Sequence, residues 1–288
     1  DDSTPCGASE ECVEGICRQT NRGPTQEACN GLDDNCDGVV DNVGTVAAGA
    51  CAVCPFNMVK VDSLSASGSE NPVCVDQYEA SRPDATATSA GSSEWYAASA
   101  AGVLPWTDVT VEEAASACQG ETIYSYFKPG PRPLPSKRLC KYFEYEQACG
   151  GRNNDPASDF DYPYTESAAD DRYVAGACID GSLDRSGPAV TGTSTCAHAF
   201  NTGPGTQVQT YDLVGNVAEW VQGSGGFLVA GGSFLETPAD AAANRPRTAA
   251  SGAALSCTDL GQAPADGAAD DIGFRCCTAP RAAPTPGQ

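Results

Sequence analysis

The chain has 288 residues, 38 acidic against 16 basic for a net charge of −22, and sixteen cysteines beside a single His and a single Met. That charge excludes nucleic acid and anionic membrane as partners, because both would repel it. The dense, even cysteine complement excludes the reducing cytosol. No run approaches the ~20 consecutive apolar residues of a membrane-spanning helix, and the start at Asp1 carries no charged or apolar leader. The sequence therefore reads as a mature, exported chain from which a signal has been removed. Its acidity suits hard cations, Ca²⁺ above all, or serves only to keep an exported protein in solution.

Residues 1–54 carry seven of the cysteines among Gly, Asn and Asp, with few large apolar side chains. Such a segment cannot hold itself together by hydrophobic burial, so disulfides and metal must do it. Within it, Cys6-Gly-Ala-Ser-Glu-Glu-Cys12 and Cys17 resemble small EGF-like or cysteine-knot pieces. The run Cys29-Asn-Gly-Leu-Asp-Asp-Asn-Cys36-Asp-Gly-Val-Val-Asp41 then places oxygen ligands at Asp33, Asn35 and Asp37, a glycine for the sharp turn, the Val39 carbonyl, and Asp41. This is half of a calcium loop. Position twelve is Gly44 instead of a bidentate Glu, and no helix-forming run flanks the loop, so it is not an EF-hand. It resembles the cysteine-flanked acidic motifs of secreted delta-proteobacterial proteins, akin to thrombospondin type 3 and dockerin loops. Hard oxygen ligands favour Ca²⁺ over a softer metal, and an unliganded Asx-rich turn is the alternative.

A change of composition near residue 55 marks a boundary. Met58–Val61 and Val73–Asp76 read as short strands. Thr110 with Glu113 three residues later is a capping box opening a helix that runs to about Cys118. Lys141–Cys149 reads as a second helix, and the proline-rich run 128–135 between them as neither helix nor central strand. After Gly150 the sequence predicts mostly loop. Residues 279–288 have the composition of an extended Pro/Ala-rich tail. The division is thus 1–54, 55–278 and 279–288.

Four blocks occur in a fixed order: Cys74-Val-Asp-Gln-Tyr-Glu79, Trp106 to Ala114, Lys137 to Cys149, and Tyr211-Asp-Leu-Val-Gly-Asn-Val-Ala-Glu-Trp220. Gly231-Gly-Ser-Phe234 and Asp271-Ile-Gly-Phe-Arg-Cys-Cys277 follow. This pattern is similar to that of the formylglycine-generating, or sulfatase-modifying, family. The resemblance implies an α+β fold related to C-type lectins, with two helices, few strands and long loops, preceded by the small disulfide- and calcium-stapled module. It also implies a structural Ca²⁺ at the G-N-x-x-E turn, held by Gly215, Asn216, Val217 and Glu219. The alternative is that Asn216 and Glu219 satisfy buried groups without metal. A second calcium site would fall within 170–184, where no ligand can be aligned.

The family's oxidative chemistry uses two cysteines shortly after the GGS block. Here Leu235-Glu-Thr-Pro-Ala-Asp follows, and the next cysteine is Cys257. His198 has no nucleophile motif beside it, and Cys51-Ala-Val-Cys54 lacks the βαβ context of a redox pair. The remaining cysteines read as staples. Cys178 and Cys196 bracket a loop, Cys140 and Cys149 bracket the second helix, and Cys257 is placed to meet one of the terminal pair. Adjacent Cys276 and Cys277 face opposite ways in an extended chain and require two different partners. The reading is a non-catalytic, calcium-binding, disulfide-rich bacterial protein, secreted or on the cell surface. As a structural subunit, for example of a filament, it would partner copies of itself. Its rivals are a lectin-like adhesin for cell-surface glycans or proteins, and a formylglycine-type oxidoreductase with relocated cysteines.

Overall fold

Thr110 caps a helix as its sequence predicts. Its backbone N–H and hydroxyl donate to the Glu113 carboxylate at 2.8 and 2.9 Å, and Glu113 N–H donates back to the Thr110 hydroxyl at 3.3 Å. This reciprocal pairing satisfies two of the orphan donors of a helix start, and the helix (α1) runs over Val111–Gly120. The second helix (α2) spans Tyr142–Cys149. Its first turn is closed by Glu144, whose carboxylate accepts the Lys141 N–H at 2.8 Å.

The computed structural model describes residues 10–13, 16–19, 52–55, 57–61, 72–120, 137–149, 162, 173–174, 176–183, 185–203, 206–237, 255–258, 260–262 and 267–282. The strands in chain order are β1 (Glu10–Val13), β2 (Ile16–Gln19), β3 (Ala52–Val53), β4 (Met58–Val61), β5 (Val73–Asp76), β6 (Ala80–Ser81), β7 (Ala98–Ser99) and β8 (Arg138–Leu139). They continue as β9 (Ala197–Gly203), β10 (Thr206–Tyr211), β11 (Ala218–Gln222), β12 (Phe227–Ala230), β13 (Leu260–Gln262), β14 (Ile272–Phe274), β15 (Cys276–Thr278) and β16 (Arg281–Ala282). Two compact units are formed, one of residues 57–200 and 208–279, the other of residues 1–56, 201–207 and 280–288. In the smaller unit β1 pairs with β2, and β16 pairs with β3, Arg281 opposite Val53. The segment whose composition predicts a plain extended tail therefore contributes a strand.

The larger unit is built on two four-stranded sheets, ordered β4-β5-β15-β8 and β13-β12-β11-β14. The first is antiparallel throughout. In the second, β11 pairs antiparallel with β12 but parallel with β14. Strand β11 alternates between two cores. Ala218 and Trp220 enter one with Trp106, Phe274 and the apolar face of α1, while Val221 enters another with Val75, Tyr145 and Leu213. Glu219, between Ala218 and Trp220, is turned to the second side. The loops expected after Gly150 thus contain a sheet.

Only Arg275 separates β14, in one sheet, from β15, in the other. Disulfides fix this crossover on both sides, Cys118–Cys276 from α1 and Cys140–Cys277 from the start of α2. The adjacent cysteines do take two different partners. Cys178 pairs with Cys196 across the loop they bracket. Cys257, expected to meet the terminal pair, is instead bonded to Cys149, because the end of α2 and residues 255–257 enter the same core.

Candidate functional site

The segment Tyr211–Trp220 turns from β10 into β11 through three residues with positive φ, Asp212 (57°), Gly215 (78°) and Asn216 (57°). Asparagine tolerates this region, and at Gly215 a Cβ would collide with the Ile179 carbonyl oxygen, so only glycine fits. The turn is pinned to its surroundings by hydrogen bonds on both sides of Val214. Asn216 N–H donates to the Ile179 carbonyl at 2.7 Å, the Asn216 carbonyl accepts from Phe234 N–H at 2.9 Å, and Gly215 N–H donates to Gly231 at 2.9 Å. The buried Tyr145 hydroxyl donates to the Leu213 carbonyl.

Beneath the turn lies a set of buried charges drawn from distant parts of the chain. Glu79 accepts Val217 N–H at 3.0 Å and Asn216 Nδ2 at 2.6 Å. Asp212 accepts Gly192 N–H at 2.7 Å and the Ser194 hydroxyl. Arg275 donates Nε to both oxygens of Glu219 at 3.0 and 2.9 Å and Nη2 to one at 2.7 Å. Its other donations reach the carbonyls of Asp76 at 2.7 Å and Tyr211 at 2.8 Å. Lys137 Nζ meets Asp76 at 2.9 Å, and Cys276 N–H donates to the same carboxylate at 3.1 Å. Four carboxylates, Asp76, Glu79, Asp212 and Glu219, are 0–1% exposed, against two buried cations, Lys137 and Arg275, at 2% and 0%.

Burial first, and this imbalance after it, set the protonation chemistry. Burial raises the Glu79 carboxyl well above its ordinary 4.5, and the negative neighbours Asp212 and Glu219 push it further. Burial likewise raises Asp212, opposed by its Ser194 and Gly192 hydrogen bonds, and raises Glu219, opposed by Arg275. Burial would lower the pKa of Arg275, but Glu219 beside it reverses the sign and holds the guanidinium charged. A carboxyl whose folded-state pKa exceeds its unfolded value binds its proton more tightly in the native state. Its contribution to stability is complete below the unfolded value of 4.5 and is lost as pH rises through the folded one. Melting temperature is therefore expected to fall as pH rises above the unfolded value of 4.5. In Glu79→Gln the fall should be shallower, because the charge that develops at Glu79 is absent. A pH profile by scanning calorimetry unchanged by this substitution would show that the Glu79 charge does not contribute to the fall.

The turn residues expected to hold Ca²⁺ have protein partners. The Asn216 side-chain oxygen accepts Ala189 N–H at 2.7 Å, its amide donates to Glu79, and both Glu219 oxygens receive Arg275. A divalent ion on Glu219 would face the guanidinium directly, so this carboxylate does not fit a metal ligand as arranged. Gly215 and Val217 offer carbonyls only. The candidate loop Asp33, Asn35, Asp37, Val39 and Asp41 lies outside the described residues. Within 170–184, the buried Asp180 carboxylate accepts from the Tyr173 hydroxyl and from Ser182 N–H at 2.8 Å. After the GGS block the chain folds back on itself, Ser233 N–H and hydroxyl donating to Glu236 at 2.6 and 2.5 Å. The lone His198 is buried on β9.

Glu79, Asp212 and Arg275 each lie inside a quoted sequence block, yet sequence reasoning gave them no role. Their partners are remote, Glu79 by 137 and 138 positions and Arg275 by 56. A charge flanked on both sides by apolar or aromatic residues was the available signal, since a lone buried charge is too costly to leave unpaired.

No curated protein matches the chain. Among solved structures, Treponema denticola variable protein 1 is similar at 14% identity and a TM-score of 0.45, over 79% of this chain and 94% of its own. The structure described as the crystal structure of CarF is similar at 15% identity and a TM-score of 0.40, over 79% of this chain and 96% of its own. The pattern of the sulfatase-modifying factor enzyme 1-like domain matches residues 73–280, and the chain belongs to that family.

Proposed function

We propose that the protein is a non-catalytic extracellular structural protein, locked by disulfides, stabilised by Ca²⁺ in its acidic N-terminal loop, and built to assemble with copies of itself. The observation that carries the non-catalytic reading is the state of the thiols. Among the described residues no cysteine is free, and ten are placed in disulfides: Cys54, Cys74 and those of the bridges Cys118–Cys276, Cys140–Cys277, Cys149–Cys257 and Cys178–Cys196. Thiol-dependent oxidation requires a thiolate that can attack or bind metal, and a bonded sulfur supplies none. The cysteines tie sheet to helix in the core, which is the use expected of a scaffold that must persist in an oxidising medium. Among the described residues, no helix is long and apolar enough to cross a membrane.

Calcium belongs in this reading through Asp33, Asn35, Asp37, Val39 and Asp41. A loop with little core around it gains most from an ion that binds only the folded form. Assembly is supported more weakly, by the dense crosslinks and by small residues throughout the chain. Electron microscopy of the protein with and without a calcium chelator tests it. Ordered polymers in calcium are expected, and monodisperse particles in both conditions would overturn assembly. Thiol titration in denaturant, without reductant, is expected to find no reactive sulfhydryl. A thiol that titrates in the native protein would revive the oxidoreductase reading.

A further inference from the structure

Of the three tryptophans, Trp106 and Trp220 are 3% and 1% exposed, whereas Trp95 is 84% exposed, beside Tyr96 at 39%. Leaving an indole in water forfeits roughly 2–3 kcal/mol of burial, so its setting matters. The loop that carries it is held fast. The Asp84 carboxylate accepts the N–H groups of Ser93 at 2.9 Å and Ser92 at 3.0 Å and the Ser92 hydroxyl at 3.2 Å. These bonds hold the Asp84 carboxyl below its ordinary range, Ser93 and then Ser92 contributing most. Gly91 lies at φ +75°, where a Cβ would strike Asp84. Leu104 N–H ties the loop at Thr86 at 3.0 Å, and Ala97 N–H anchors its end on the Ala117 carbonyl at 3.0 Å. Trp95 is therefore presented by a pre-formed loop, and covering it costs little ordering entropy.

Its neighbours select the kind of ligand. The exposed residues of this loop are Asp84, Thr86, Thr88, Ser89, Ser92 and Glu94, with Ala87 and the two rings. The other exposed large hydrophobics, among them Phe143, Leu183 and Phe227, belong to other elements. A stable protein interface needs about 800 Å² per partner with an apolar centre, and two rings among hydroxyls do not supply one. A pyranose fits better. Its C–H face stacks on an indole, and its hydroxyls exchange hydrogen bonds with Ser, Thr and carboxylate groups. Glu94 is 70% exposed and stands 3.8 Å from Arg82, beyond hydrogen-bond distance, so its oxygens can accept from a ligand. The acidic neighbours and the net charge of −22 disfavour polyanions.

We infer that the Trp95–Tyr96 loop is a stacking platform for neutral sugar units of a polysaccharide. It does not depend on self-assembly, and either can fail alone. The test is native electrophoresis of the full chain in gels containing dextran, laminarin, mannan or hydroxyethylcellulose, with alginate as the polyanionic control. Acrylamide quenching of tryptophan emission, which reports Trp95 selectively, accompanies it. At least one neutral polymer is expected to retard the protein and to reduce quenching about twofold or more. Trp95→Ala should weaken the retardation at least about tenfold, the ratio that ~1.4 kcal/mol represents, and Trp95→Phe should recover part of it. Retardation by none of the four neutral polymers, or undiminished retardation of Trp95→Ala, overturns the inference. So does protection from quencher that rises with protein concentration alone, which would make the loop a contact between copies.

Discussion

Arg275→Ala is expected to cost about 3–5 kcal/mol, the usual effect of leaving one member of a buried ion pair without the other. Small domains hold only about 5–15 kcal/mol in total, so this one substitution removes a large fraction of the stability. The position explains the size. Arg275 is the sole residue between β14 and β15, is 0% exposed, and bonds the Glu219 carboxylate on β11, the Asp76 carbonyl at the end of β5 and the Tyr211 carbonyl before the turn. Removing it strands one buried carboxylate and two carbonyl acceptors together. Arg275→Lys should recover only a minor part, since a single ammonium cannot span a carboxylate and two carbonyls from one position. Adding Glu219→Gln to Arg275→Ala should recover stability by discharging the stranded group. Urea unfolding with disulfides intact, followed by the buried Trp106 and Trp220, measures all four proteins. A loss below about 1 kcal/mol for Arg275→Ala would mean that water, not the chain, solvates Glu219.

What could be read from the sequence divides along the distance between partners. The α1 cap needs only Thr110 and Glu113, three positions apart, and Met58–Val61 and Val73–Asp76 have strand composition within four residues. Strands β11, β12 and β14 gave no such signal. They are three to five residues long, and β14 is buried at every position while β11 is buried at all but the last, so no apolar–polar alternation is written into them. Cysteine connectivity failed for the same reason at Cys257, whose partner is 108 residues away. The G-N-x-x-E turn was located by resemblance, but its partners Glu79 and Arg275 were not, and with them went the distinction between a metal and an internal guanidinium as the cation facing Glu219. Nothing in the sequence separates the exposed Trp95 from the buried Trp106. Exposure there follows from the loop pinned around Asp84, a long-range property of the fold.

Removing both bridges of the sheet crossover should destabilise the chain far more than removing either, and by more than the sum of the two single losses. Cys118–Cys276 closes a loop of sequence separation 158 and Cys140–Cys277 one of 137. The intact Cys149–Cys257 bridge shortens these loops to roughly 50 and 30 residues, so on the chain-entropy account each alone restricts the unfolded chain by about 4 kcal/mol. The loops are nested, however. With one bridge intact, the other closes only about two dozen further residues, between Cys118 and Cys140 and between Cys276 and Cys277, worth about 3 kcal/mol. Replacing one pair by alanine should therefore cost about 3 kcal/mol, and replacing both about 7 kcal/mol. That larger loss would leave the larger unit unfolded at 37 °C. Calorimetry of the two single-pair variants and the double-pair variant decides it. Single losses that add up to the double loss would indicate that the bridges act through native contacts on separate sides of β15. A double loss larger than the sum of the single losses would indicate that they act on one shared unfolded ensemble, with the crossover at Arg275 as the element that both hold closed.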